Sequence, residues 1–344
     1  MKEALIAAGP SVTITDTPIP APEPDQVLIQ VIVSGTNPKD WKVPQWANVT
    51  LNQGDDIAGI VKSVGANVTE FKPGDRVAAF HQMLQPGGSY AEYAISWQHT
   101  TFHIPKDVSF EEAATIPLAA MTSAVAMYQH LRLPVPWQPA TTRQPLVIYG
   151  GASAIGAYAI QLARRSNIHP IITVAGRGIP FVEGLIDRSQ GDAVIDYRQG
   201  DDAVVSGIRA ALAAAGHSEL KAAYDAVSEK GSYVNLSRVM APGGKIALIL
   251  PGKKYPEIPE SLEKMVVSVG AVHGTPQDQD FGYVFFRLIA KGLREGWFKP
   301  HPHVVVPGGL GGLQQALTNL KEGKASAVKY VVRIAETEGV LAKI

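Results

Sequence analysis

One stretch constrains this chain more than any other. Leu146-Val-Ile-Tyr149 runs straight into Gly150-Gly-Ala-Ser-Ala-Ile-Gly156 and then into the helix-like segment Ala154–Arg165. A short apolar run bounded by glycine reads as a buried strand. A glycine-rich turn between a strand and a helix lets the backbone approach a pyrophosphate, and the helix N-terminus presents oriented N–H groups to it. Read as G-x-G-x-x-G, the three positions are Gly151, Ser153 and Gly156, so a serine replaces the middle glycine. Its hydroxyl suits a phosphate, and its Cβ restricts the backbone. Set against a bare strand–helix turn, dinucleotide binding is the stronger reading in this context.

The flanking pattern agrees. Strand-like runs at Ile171–Val174, Ala193–Ile195, Ala222–Asp225, Ile246–Leu250 and Met265–Val269 alternate with helix-like segments. The segments are Phe181–Ser189, Asp202–Ala215 and Tyr233–Met240, and a further helix is expected over Met121–Leu131. Such alternation predicts βαβ units, a parallel sheet and right-handed crossovers. Residues 1–110 have a different texture. Gln26–Val33, Ile57–Val64 and Arg76–Phe80 are short strand-like runs separated by turn residues such as Pro73-Gly-Asp75, as in a small barrel or sandwich. The tail reads as helices at Phe281–Leu293 and Leu313–Lys321 and strands at Val304–Val306 and Tyr330–Ile334. Val304–Leu313 also sets glycines between a strand and a helix, but Gln314 stands where a third glycine belongs. With no following parallel strand evident, it reads as a loop.

Cofactor choice is written after the second strand of the alternating region. An NAD site places an acid there for the ribose 2′-hydroxyl. Val174-Ala-Gly-Arg-Gly178 has no carboxylate, and Arg177 suits a 2′-phosphate because guanidinium pairs bidentately with phosphate oxygens. NADPH is preferred over NADH.

Composition narrows the rest. At roughly 150 residues per domain, 344 residues suggest about two domains. Lys plus Arg equals Asp plus Glu at 31 each, so there is no basic excess to draw nucleic acid or an anionic membrane. No apolar run of about 18 residues predicts a membrane span, and the N-terminus lacks a secretion signal, so a cytoplasmic protein is expected. There is no cysteine, hence no thiol nucleophile, no disulfide and no cysteine-liganded zinc. His301-Pro-His303 reads as solvated surface, and Asp55-Asp56 as a structural pair.

Taken together, the segments Asp56–Val77, Gly88-Ser-Tyr-Ala-Glu-Tyr93, Ala119–Thr122 and Pro242-Gly-Gly244 resemble the medium-chain dehydrogenase/reductase superfamily over essentially the whole chain. The resemblance implies an α/β protein: a Rossmann doubly wound parallel sheet plus a GroES-like β-barrel catalytic domain. The catalytic domain would take residues 1–115 and 275–344, and the NADPH-binding domain residues 116–274. The zinc alcohol dehydrogenase branch fits poorly. In its three ligand regions this chain has Thr36-Asn-Pro-Lys-Asp40, Gly54-Asp-Asp56 and Leu118–Met121, so no metal is expected. Asn37-Pro-Lys-Asp-Trp-Lys42, Tyr149-Gly-Gly-Ala-Ser and Asp196-Tyr-Arg198 look like the zinc-free branch, with the strongest likeness to fungal ToxD-like, trans-acting enoyl reductases beside quinone oxidoreductases.

Carried over by position, the likeness puts Lys39, Asp40, Trp41 and Lys42 at the nicotinamide and reacting carbons. Ser153, Ala154, Ile155 and Gly156 join Gly151 at the pyrophosphate, and Arg177 and Tyr197 take the 2′-phosphate. Leu250, Val269 and Val272 line the nicotinamide, Ser326 and Lys329 close over the cofactor from the tail, and Thr122 approaches from the domain junction. Lys42 is the expected stabiliser of an enolate oxygen or its proton donor, against the plainer reading of a solvated lysine. Trp41, Trp46, Met83, Phe281 and Phe285 are candidate apolar walls, a role that aromatic residues share with ordinary core packing. The implied reaction is NADPH-dependent reduction of an enoyl C=C bond, on a small-molecule or carrier-bound and polyketide-type substrate, with a synthase as a conceivable partner. Quinone reduction and a catalytically inactive nucleotide-binding protein are the alternatives. The chain is expected to be a monomer or a homodimer.

Overall fold

The computed structural model describes residues 1–340. Its first strands are β1 (Lys2–Ala7), β2 (Ser11–Asp16), β3 (Gln26–Gly35), β4 (Asp56–Val64), β5 (Arg76–Phe80), β6 (Tyr93–Trp97) and β7 (Thr101–His103). Next come β8 (Leu146–Tyr149), β9 (Ile171–Ala175), β10 (Ala193–Asp196), β11 (Ala222–Asp225), β12 (Lys245–Leu248) and β13 (Glu263–Val266). The last two are β14 (His303–Val305) and β15 (Lys329–Arg333). The chain divides into two compact units, Met1–Met121 with Gly270–Ile344, and Thr122–Val269.

In the second unit six strands follow the order β10-β9-β8-β11-β12-β13, every pair parallel. The chain therefore reverses its direction of winding between β8 and β11, and in open α/β sheets ligands bind outside the strand C-termini at that point. β8 and β9 are buried along their whole length, which explains why they are continuously apolar rather than alternating. Where the segment Phe181–Ser189 suggests one helix, there is a helix at Ile179–Glu183 and a separate 3-10 turn at Arg188–Gln190. Gly184 closes the first, and the Asp187 carboxylate accepts from the Ser189 N–H, offering the backbone a local alternative to helix. The strand expected at Met265–Val269 is Glu263–Val266 instead, because β12, its only partner among the described residues, ends at Leu248 opposite Val266.

The first unit is built on β14-β15-β3-β4-β5-β7, with β6 added on β3. No pairing among the described residues closes this path into a barrel. Its core gathers Ile29, Val31, Ile57, Val61 and Val77 with Leu313 and Leu317 of the tail helix Leu313–Lys321. β14 and β15 are parallel, joined through the 3-10 turn Gly309–Gly312 and that helix. The glycine-rich segment after Val304 thus does precede a parallel strand, although in a different sheet from β8. The helix near Met121 begins earlier, at Pro117, and passes into a π-helical turn at Val125–His130. No helix among the described residues is long and apolar enough to cross a membrane.

Candidate functional site

The glycine turn after β8 is held from inside. Gly150 has φ of 87°, in the left-handed region. A Cβ on Gly151 would lie 2.0 Å from Thr173 Oγ1, and one on Gly156 would lie 2.3 Å from the Gly150 carbonyl oxygen. Both positions thus require glycine for close packing. Ser153 caps the helix: its Oγ accepts from the Gly156 N–H at 3.1 Å and donates to the Gly150 carbonyl at 2.8 Å. The hydroxyl that the sequence offered to a phosphate is committed to the turn. The N–H groups of Ala154 and Ile155, in the first turn, have no partner within the helix, and they are donors for an anion.

At the end of β9, Arg177 is exposed. The Tyr197 ring packs against the adjacent Gly176, so closely that a Cβ there would sit 2.6 Å from it. Tyr197 itself is 49% exposed. The carboxylate nearest in sequence, Asp196, is bound by Arg198 at 2.6 Å. The end of β9 thus has an exposed arginine and an aromatic ring beside it, and Asp196, which pairs with Ala175, is held by Arg198.

Sequence reasoning missed a cluster at the ends of β11 and β12. Asp225 is fully buried and accepts from the N–H groups of Val227 and Ser228 and from Ser232 Oγ at 2.6 Å. Burial outweighs these donors and pushes its carboxyl up to about 6. The Ile249 N–H donates to Ser228 Oγ, and Lys253 Nζ donates to the Ser228 carbonyl while lying 4.6 Å from the Tyr233 ring centroid. Tyr255 donates to the carbonyl of Leu250, fixing that residue's loop. No motif announces these residues; the only local signal is a serine in a loop just past a strand.

In the first unit, the helix Lys39–Ala47 opens on a buried charge network. Asp40 accepts from the Asn37 N–H at 2.6 Å and from the Tyr90 hydroxyl at 2.5 Å. Lys39 Nζ donates to the Gln53 carbonyl at 2.5 Å and pairs with Asp40 at 3.1 Å and with Asp55. Burial opposes the Lys39 charge, yet Asp55 and Asp40 hold its amine above the usual range. Burial opposes the Asp55 charge too, and Lys39 with His81 overcomes it, keeping the carboxyl low. Asp40 goes the other way, up to about 6, because burial outweighs Lys39. His81 directs Nδ1 to Asp55 at 2.9 Å and Nε2 to the Pro86 carbonyl at 3.2 Å. Beside this lies a second pair: Lys329 Nζ donates to Asp56 at 2.6 Å and to Asn37 at 2.8 Å, while the Leu118 N–H donates to the other Asp56 oxygen. Asp55 and Asp56 are thus the structural pair that the sequence suggests.

Lys42, one turn along the helix, is buried, with Nζ 5.6 Å from the Trp41 ring centroid and 5.9 Å from that of Trp46. Trp41 Nε1 and both amide atoms of Gln53 are buried without a hydrogen-bond partner. The structure does not support Phe285 as a pocket wall: it is 1% exposed, in contact with Phe281, and belongs to the core. His301 is buried rather than solvated, and burial followed by Lys329 lowers its pKa to about 3. Thr122 is buried in the helix Pro117–Ala124, and Val272 in the 3-10 turn Val269–His273. Ser326 is half-buried. Among the described residues, no group of three or more His, Cys, Asp or Glu side chains is arranged to hold a metal ion.

Residues 23–106 match the alcohol dehydrogenase GroES-like domain family. Over 314 residues the chain is 49% identical to the trans-enoyl reductase fsr4 of Gibberella fujikuroi, covering 90% of this chain and 91% of that protein. The solved CurK enoyl reductase superposes with a TM-score of 0.75 at 20% identity, over 96% of this chain and 98% of that one. For the quinone oxidoreductase from Coxiella burnetii the TM-score is 0.74 at 20% identity, over 97% and 99%. The fold is that of a medium-chain dehydrogenase/reductase, an oxidoreductase architecture that implies a nicotinamide cofactor. Within that superfamily, the chain belongs to the trans-enoyl reductase family.

Proposed function

We propose that this enzyme reduces the C=C bond of an α,β-unsaturated carbonyl, in an enoyl substrate, with NADPH and without a metal. The observation that carries the reading is the match of nine-tenths of the chain to a trans-enoyl reductase at 49% identity. Arg177 and Tyr197 support the choice of NADPH, since an exposed arginine follows β9, the Tyr197 ring packs on the adjacent Gly176, and the nearby Asp196 is occupied by Arg198. A bound reduced nicotinamide supplies a hydride to the β-carbon.

The protein's part is orientation and charge. Gly151, Ala154, Ile155 and Gly156 receive the pyrophosphate, Ser153 holding their turn in shape. Lys42 donates a hydrogen bond from Nζ to the enolate oxygen, where negative charge develops, and its burial strengthens the interaction. Thr122 orients the carbonyl. Trp41, Leu250, Val269 and Val272 supply apolar walls to the nicotinamide. Lys39, Asp40 and Lys329, whose charged groups are engaged within the first unit, shape the surroundings of Lys42, and Ser326 covers the cofactor. A carrier-bound, polyketide-type intermediate delivered by a synthase in the cytoplasm is the substrate this reading favours.

NADPH oxidation by the purified protein tests it against enones, enoyl thioesters and quinones. Turnover of the first two supports the proposal. Turnover of quinones alone would make it a quinone reductase, and cofactor binding with no turnover a nucleotide-binding protein.

A further inference from the structure

The ammonium of Lys39 is shared in an unusual way. Its side chain is 16% exposed, while those of Asp40 and Asp55 are 0% and 1% exposed. Its Nζ donates to the Gln53 carbonyl at 2.5 Å and is ion-paired with Asp40 Oδ1 at 3.1 Å and with Asp55 Oδ2, two buried oxygens that accept no hydrogen bond. They come from two segments, the first turn of the helix Lys39–Ala47 and the loop entering β4. That loop is shaped tightly around Gly54, where a Cβ would sit 2.4 Å from Ser89 Oγ. Asp56, by contrast, has its own cation in Lys329. His81 reaches only Asp55 of the two carboxylates. Among the described residues, Lys39 is the one cation ion-paired with both Asp40 and Asp55, and it ties helix to loop.

We propose that the Lys39 ammonium is a resident cation doing the cross-linking work of a bound metal ion: it clamps Asp40, Asp55 and the Gln53 carbonyl, and so positions the helix that carries Trp41 and Lys42. Lys39 is a positioning residue, and the inference is independent of which substrate the enzyme reduces. The oxygens left by removal of the ammonium are hard donors, suited to a cation such as Mn²⁺ rather than to a thiolate-seeking ion.

Two full-length variants separate charge from packing. Lys39→Ala removes the ammonium and leaves room, whereas Lys39→Met removes the charge and fills the space. Each is expected to melt roughly 10 °C below the parent, the order expected when one partner of a buried ion pair is lost. Mn²⁺ alone, added at millimolar concentration, should bind Lys39→Ala at one ion per chain by electron paramagnetic resonance. It should also recover at least half of the lost melting temperature, while leaving Lys39→Met and the parent unchanged. Lys39→Met melting with the parent would show that the side chain only fills space and overturn the proposal, as would a Lys39→Ala protein that neither binds nor is stabilised by Mn²⁺. If Lys39→Ala does not fold, Lys39→Ala with Asp55→Asn, which removes one carboxylate together with the ammonium, is expected to fold. A double variant that also fails to fold contradicts the clamp.

Discussion

Two residues bear most of the proposed chemistry. Lys42 is buried, with two indole rings within 6 Å of its Nζ, and a buried ammonium aimed at developing oxyanion charge acts more strongly than one in water. Lys42→Ala is expected to lower kcat by about 10²-fold with less change in KM, the pattern of an interaction made mainly in the transition state. Steady-state kinetics with an enoyl thioester check this, and an unchanged kcat removes the role. Arg177→Ala should weaken NADPH by roughly tenfold or more while leaving NADH unaltered, since only the former carries the 2′-phosphate. Direct titration of both dinucleotides reads the difference. Asp225 gives a pH prediction. Burial raises its carboxyl to about 6, so between about pH 4 and 6 the folded protein holds a proton that the unfolded chain releases. Its contribution to stability is therefore present at low pH and declines as pH rises through 6. The melting temperature of Asp225→Asn, measured relative to the parent, should climb from pH 4 to pH 7; a flat difference contradicts the assignment.

At the scale of elements, the turn after β8 is the sharpest test of packing. Gly151→Ala pushes a methyl to within 2.0 Å of Thr173 Oγ1, a side-chain atom, whereas Gly156→Ala meets the backbone oxygen of Gly150. Overpacking of this kind costs about 1–3 kcal/mol. Thr173→Ala should recover part of the loss for Gly151→Ala and none for Gly156→Ala, as judged by denaturant unfolding. The same elements show what could be read in advance. β8 and the helix Ala154–Arg165 are legible to the residue, because a strand covered on both faces leaves an unbroken apolar run and the glycine turn marks where the helix begins. β13 was displaced because its limits are set by its neighbour β12 rather than by its own sequence. The role of Ser153 was legible as a position but not as a bond: whether its hydroxyl turns to a ligand or to the Gly150 carbonyl depends on the turn's shape. The Lys39 and Asp225 networks are illegible in sequence, because residues such as Asp55 and His81, or Ser228 and Ile249, meet only once their strands are paired.

On the scale of the whole molecule, the second unit is a parallel sheet whose strand ends carry the glycine turn, Arg177 and Tyr197, and in the first unit buried charges hold the Lys42 helix. The fold allows several reductions, and the family narrows them to the enoyl class. The central claim is that a hydride from NADPH reaches the β-carbon of an enoyl substrate. Incubating the enzyme with NADPH deuterated at the transferable C4 position and an enoyl thioester, and analysing the product by mass spectrometry and NMR, tests this most directly. The account predicts a saturated product with one deuterium at the β-carbon and a solvent-derived hydrogen at the α-carbon. An unreduced substrate, under conditions where a quinone consumes the same NADPH, would contradict it.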